Sequence, residues 1–228
     1  FSATPSRRLG LVVGLDRCRS GCRDCIDACH AVHNVPAIPD PAHEVKWVWT
    51  EPFARALPAV EPLEGGRLRE LPVPVLCNHC DNPPCVRVCP AGATWKRPDG
   101  IVTIDMHRCI GCRYCMAACP YGSRSFNWVD PRPHVASPDP GYPTRTKGVV
   151  EKCNFCEERV TRGGTPACVE ACADGALAFG DVNDRQSAAG RALRSGRHTL
   201  RRQPELGTRP SVHYQLPGEG LGVVDSGQ

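Results

Sequence analysis

No run of this 228-residue sequence approaches the roughly twenty apolar residues that a bilayer-spanning helix needs, so the chain is expected not to cross a membrane itself. Aromatic residues make up only 6%, and there are two methionines, which leaves few large side chains for a conventional core. A glycine-rich dinucleotide fingerprint is missing, and with it the usual mark of a nicotinamide or flavin enzyme. No acid–base pair asks for a substrate pocket, so no catalytic residue is assigned.

What is abundant is proline (23), glycine (22) and above all cysteine (16). A loop-rich chain held together by bound metal follows, and removal of the metal should unfold it. The cysteines fall into four groups of four, with none left over: Cys18-x3-Cys22-x2-Cys25-x3-Cys29, Cys77-x2-Cys80-x4-Cys85-x3-Cys89, Cys109-x2-Cys112-x2-Cys115-x3-Cys119 and Cys153-x2-Cys156-x11-Cys168-x3-Cys172. An even count is compatible with disulfides, but those belong mainly to small, core-poor secreted domains. Structural zinc sites are closed tetrahedra of four thiolates; they do not need a third cysteine at x2, a fourth at x3 and a proline after it. The third group, Cys109 to Pro120, has that form, the C-x2-C-x2-C-x3-C-P run of two-cluster ferredoxins, in which the fourth cysteine ligates the other cluster.

Crossed ligation follows from this rule. Cys109, Cys112 and Cys115 share a cluster with Cys89, and Cys77, Cys80 and Cys85 one with Cys119. Cys18, Cys22 and Cys25 pair with Cys172, and Cys153, Cys156 and Cys168 with Cys29. The expected fold is α+β, with two ferredoxin-like dicluster modules, one inserted into the other. Residues 73–130 form the contiguous module; 9–35 with 148–182 form the split one. An insertion spans 36–72, a connecting loop 131–147, and a C-terminal tail 183–228, ordered only where it packs. Short β-branched strands at 9–15, 101–104 and 148–152 lead into three of the cysteine groups, and Asp99-Gly100 marks a hairpin turn. One or two helical turns are expected after each C-x3-C segment. Glu44 to Trp49 alternates like a half-exposed strand.

The formal charge of +4 changes sign on loading: sixteen thiolates and four cores of about +2 bring it to about −4. A nucleic-acid partner then has no electrostatic basis. Six arginines crowd 185–202, a solvated face or a partner's docking surface. His79, between Cys77 and Cys80, is read as a neighbour of the cluster rather than a ligand. His30 and Ala173 stand where a proline follows the fourth cysteine elsewhere. The chain begins at Phe1, and the expectation is a twin-arginine export signal removed ahead of it.

These motifs, in this order, resemble the four-cluster ferredoxin-like subunits of membrane-bound oxidoreductases such as dimethyl sulfoxide and polysulfide reductases. The runs that carry the resemblance are 76–90, 99–128, 148–160, 166–172 and 205–212. Ala28 to Pro36 and Val45 to Phe53 look most like the DsrO-type subunits of sulfite-reductase-linked complexes. The resemblance implies four [4Fe-4S] clusters relaying electrons in sulfur metabolism. It also implies a place on the periplasmic face, against a polytopic quinone-handling membrane subunit and near a multihaem cytochrome c. A wiring subunit of a molybdenum-containing reductase is the alternative. The x3 gap after Cys18, where the family has x2, leaves open a [3Fe-4S] centre at that position.

Overall fold

A computed structural model describes residues 7–58, 60–62, 71–216 and 223–225. It is built of short elements, the longest helix being Asp24–Val32 and the longest strand Leu9–Gly14. Parts of the expected insertion and tail, and Phe1 to Ser6, lie outside the described residues.

The fold is α+β. Cysteine groups one to four are each preceded by a strand: Leu9–Gly14, Pro72–Leu76, Val102–Ile104 and Val150–Glu151. In the contiguous module, Val102–Ile104 pairs antiparallel with Thr94–Lys96, the strand that follows Cys89. In the split module, Leu9–Gly14 pairs in the same way with Leu177–Asp181, which follows Cys172. One hairpin is thus local and its counterpart is assembled from segments about 170 residues apart. Gly100, at φ +89°, turns the local one, while the Asp99 carboxylate accepts from Ile101 N.

The stretch 183–216, expected to be ordered where it packs, does pack: Val212–Gln215, fully buried, runs parallel to Leu9–Gly14 inside a four-stranded sheet, with Thr199–Leu200 on its other side. A buried parallel neighbour needs no local turn, so nothing nearby in sequence announces it. The helical turns begin just before the third cysteine (Asp24–Val32, Pro84–Arg87, Tyr114–Ala117, Ala167–Glu170) rather than after the fourth, and in the first group Asp24–Val32 runs on past Cys29. The strand expected at 44–49 is Val48–Pro52, because its antiparallel partner Pro72–Leu76 lies opposite only those residues. Trp47 sits before it, fully buried, its Nε1 donating to Glu151 Oε2 at 2.7 Å.

Glu151 ties the loop after residue 131 to the interior. Its carboxylate pairs with Arg145 at 2.6 Å, both side chains wholly buried, and accepts from Asn127 Nδ2 at 2.6 Å. Arg145 reaches on to the carbonyls of His33 and Asn34. The arginine-rich stretch is likewise partly structural: Arg202 is buried, donating to Ala56 O at 3.0 Å, and Arg197 pairs with Asp16 at 2.7 Å.

Candidate metal centres

None of the sixteen cysteines is joined to another. Three cavities open between their side chains. One is bounded by Cys18, Cys22, Cys25 and Cys172, a second by Cys77, Cys80, Cys85 and Cys119, a third by Cys89, Cys109, Cys112 and Cys115. The remaining four stand together as well: Cys29 feels the charges of Cys153, Cys168 and Cys156. The structure thus brings the cysteines together in the same four sets that the fourth-cysteine rule groups.

The helical turn between third and fourth cysteines explains the crossing. Residues i and i+4 lie on one helix face about one turn, or roughly 6 Å, apart. Cys25 and Cys29 therefore face the same way, yet each meets a different set. Sulfurs of adjacent sets also sense one another: Cys25 with Cys29, Cys77 with Cys153, and Cys85 with Cys115. The four sets form a single file, with those of Cys18 and Cys109 at the ends. Burial follows the file. All four cysteines of the set containing Cys29 are buried, whereas all four of the set containing Cys18 are partly exposed.

A left-handed residue precedes the second cysteine of every motif: Gly21 (φ +76°), His79 (+41°), Gly111 (+69°) and Phe155 (+57°). That conformation turns successive N–H groups inward to make an anion-binding concavity. At Phe155 the N–H lies 3.5 Å from Cys153 Sγ. Because Gly21 keeps its place before Cys22, the extra residue of the first motif lies on its N-terminal side, in a turn closed by Cys22 N donating to Arg19 O at 3.3 Å. Cys18 still borders the same cavity as its three partners. Gly111 has a second reason to be glycine, since a Cβ there would meet Gly148 O at 2.3 Å.

His79 and Phe155, the two non-glycine cases, stack at 3.7 Å between centroids, 17° apart in plane. His79 is fully buried, and its Nδ1 accepts from Val102 N at 3.0 Å. It does not border the adjoining cavity.

Burial pushes the Cys25 thiol up to about 12, aided by the thiolates of Cys18, Cys172 and Cys22. Cys80 and Cys168 reach about 12 for the same reasons, and Cys29 and Cys153 are raised well above the usual range. Four thiolates crowded in a poorly solvated space repel one another, and a cationic core between them removes that repulsion. A lone zinc ion, with bonds of about 2.3 Å, would draw four sulfurs together and leave no open space among them. The cavities and their soft thiolate donors suit an iron–sulfur cube.

Three features carried no sequence signal. His33 lies against the second set: its Nε2 is 3.0 Å from Glu158 Oε1 and its Nδ1 is 3.7 Å from Cys29 Sγ. Burial alone would lower its pKa, but the nearby Cys156 thiolate and the Glu158 carboxylate outweigh it and raise it to about 9. Arg124 is buried among Cys85, Cys115 and Cys77. Lys152, also buried, donates to the carbonyls of Val102 and Cys153.

The ends of the file differ. Around Cys18 and Cys172 stand exposed charges, with Arg19 paired to Asp174 at 2.6 Å and Arg23 to Asp27 at 3.2 Å. Around Cys109 and Cys115 stand exposed apolar side chains, Ile110 at 68%, Tyr114 at 62% and Trp128 at 39%. Arg113 lies 4.7 Å over the Trp128 ring. No described helix is long and apolar enough to cross a membrane.

The family described as "4Fe-4S dicluster domain" matches residues 69–132 and 140–182. The chain is 42% identical to the Hdr-like menaquinol oxidoreductase iron-sulfur subunit 1 of Archaeoglobus fulgidus, covering 93% of this chain and 85% of that protein. It is 41% identical to a putative dimethyl sulfoxide reductase iron-sulfur subunit of Halobacterium salinarum, over 90% of this chain and 78% of the other. With one of the polypeptides of the polysulfide reductase of Wolinella succinogenes it shares 36% identity over 96% of its own length and 98% of the relative's.

Proposed function

The chain belongs to the family of iron–sulfur subunits of oxidoreductase complexes that carry the 4Fe-4S dicluster domain, and on that premise we propose that it is a four-cluster electron relay. Each of the four cysteine sets holds one [4Fe-4S] cluster. Cys18, Cys22, Cys25 and Cys172 hold the first; Cys29, Cys153, Cys156 and Cys168 the second; Cys77, Cys80, Cys85 and Cys119 the third; Cys89, Cys109, Cys112 and Cys115 the fourth. The modules 9–35 with 148–182 and 73–130 each carry two. With Cys18 bordering its cavity, the first centre keeps four ligands and is a four-iron cluster.

The observation that carries this reading is the single file, in which Cys25 and Cys29, Cys153 and Cys77, and Cys85 and Cys115 lie within electrostatic reach of each other. Bound there, the clusters supply one-electron storage. The protein's part is to hold them in succession and to set their potentials through burial and hydrogen bonds to sulfur. The apolar end, with Ile110, Tyr114 and Trp128, docks a quinone-handling polytopic membrane subunit. An exposed apolar patch of that kind marks an interaction surface, and a relative named for menaquinol oxidation supports a quinone. The charged end, with Arg19, Arg23, Asp27 and Asp174, meets a hydrophilic redox subunit. A multihaem cytochrome c in a sulfite-reductase-linked complex on the periplasmic face fits there. The relatives named for dimethyl sulfoxide and polysulfide reductases favour a second reading, in which that subunit contains molybdenum.

The test is to reduce the purified complex with a menaquinol analogue and follow the visible absorption of the clusters. Bleaching that requires the membrane subunit supports the relay. Clusters that stay oxidised in the intact complex while quinol is consumed would remove it.

A further inference from the structure

A cation buried without an anion is unfavourable, because it loses hydration and gains nothing in return. Arg145 meets this requirement in the ordinary way, with the Glu151 carboxylate at 2.6 Å. Arg124, 4% exposed, has no carboxylate partner among the described residues. Its Nη2 donates to Cys85 Sγ at 3.2 Å and to Thr94 Oγ1 at 3.0 Å. Its Nη1 is buried and has no hydrogen-bond partner at all. The side chain borders the cavity of Cys77, Cys80, Cys85 and Cys119, and Thr94, to which it donates, lines the cavity of Cys89, Cys109, Cys112 and Cys115. Lys152, the other buried cation without a carboxylate, differs: its ammonium group is turned to two backbone carbonyls. The anion that Arg124 lacks is therefore the pair of thiolate-bound centres it lies between.

We propose that Arg124 is the countercation shared by the third and fourth clusters, and that its fixed charge holds the reduction potentials of both up. This rests on the four-cluster reading. Each centre takes one electron from its neighbour and passes one on, and it is one unit more negative while holding it. A permanent guanidinium charge favours that state at both centres. Electrons are then drawn into the contiguous module, and its two centres are coupled through one side chain.

The experiment compares Arg124→Gln and Arg124→Lys in the complex with its membrane partner. Iron and sulfide per chain are measured first, then potentials by spectroscopically monitored redox titration. A Gln variant that keeps its iron, with two of four potentials lowered, beside a Lys variant with all four near their original values, is the expected result. A Gln variant that fails to load clusters beside a Lys variant that loads them with original potentials also supports a charge. Any other pattern overturns the proposal, including unshifted potentials in a fully loaded Gln variant or equal loss in both variants. Fewer than four clusters in the unsubstituted complex would remove the premise, and the inference with it.

Discussion

The two inner cysteine sets and the two outer ones use one covalent pattern in opposite surroundings. At the outer sets the left-handed residue before the second cysteine is glycine, Gly21 or Gly111; at the inner sets it is His79 or Phe155. A non-glycine residue there costs about 1–2 kcal/mol, and the inner pair offset it by stacking on each other. Buried cations, Arg124 and Lys152, lie within the file, and exposed ones at both of its ends. The difference teaches that the same loop serves as core in the middle of the file and as surface at its ends. Only the end loops are free to be shaped for a partner.

The sharpest way to break this comparison is to remove one ligand from each region. Cys156→Ser, at a buried position whose sulfur accepts from Ala167 N at 3.3 Å, should abolish recovery of loaded protein. Cys18→Ser, at the partly exposed end, should leave a folded chain short of about one iron, or of one whole cluster; iron per chain in the soluble fraction distinguishes the two. Next in size is the stack. Phe155→Ala removes a buried ring and should destabilise by about 3–5 kcal/mol. Gly21→Ala, with nothing within 4 Å of the new Cβ, should cost about 1–2 kcal/mol. Denaturant unfolding of the loaded protein measures both.

Of similar size, Ile110→Asp should weaken retention of the membrane subunit by about 1–2 kcal/mol, roughly tenfold, with iron content unchanged. Last, Arg19→Ala at the charged end should leave the melting temperature unchanged within error, since exposed ion pairs contribute little.

Much of the candidate site was legible because it is written in covalent spacing. The x2 and x3 gaps, Pro90 and Pro120, and the Asp99-Gly100 turn all act over a few residues, and local geometry reads directly from such signals. The pairing of Val212–Gln215 with Leu9–Gly14 could not be read, because a parallel neighbour two hundred residues away leaves no local trace. Arg124, Lys152 and the Arg145–Glu151 pair were invisible for another reason. A charged residue in a sequence reads as surface, and only the position of its partner, here a carboxylate, a cysteine sulfur or a pair of backbone carbonyls, reveals that it is core. His33 and Phe155 show a third limit: their roles depend on partners from a different motif, Glu158 and His79, which no spacing within one motif discloses.

The central claim is that four iron–sulfur cubes stand in file, and metal content tests it most directly. Iron, zinc and acid-labile sulfide should be measured per chain on anaerobically purified protein. The account predicts about sixteen iron with matching sulfide and no zinc. About fifteen iron would contradict the assignment of Cys18 as a ligand, and zinc without sulfide would contradict the relay altogether.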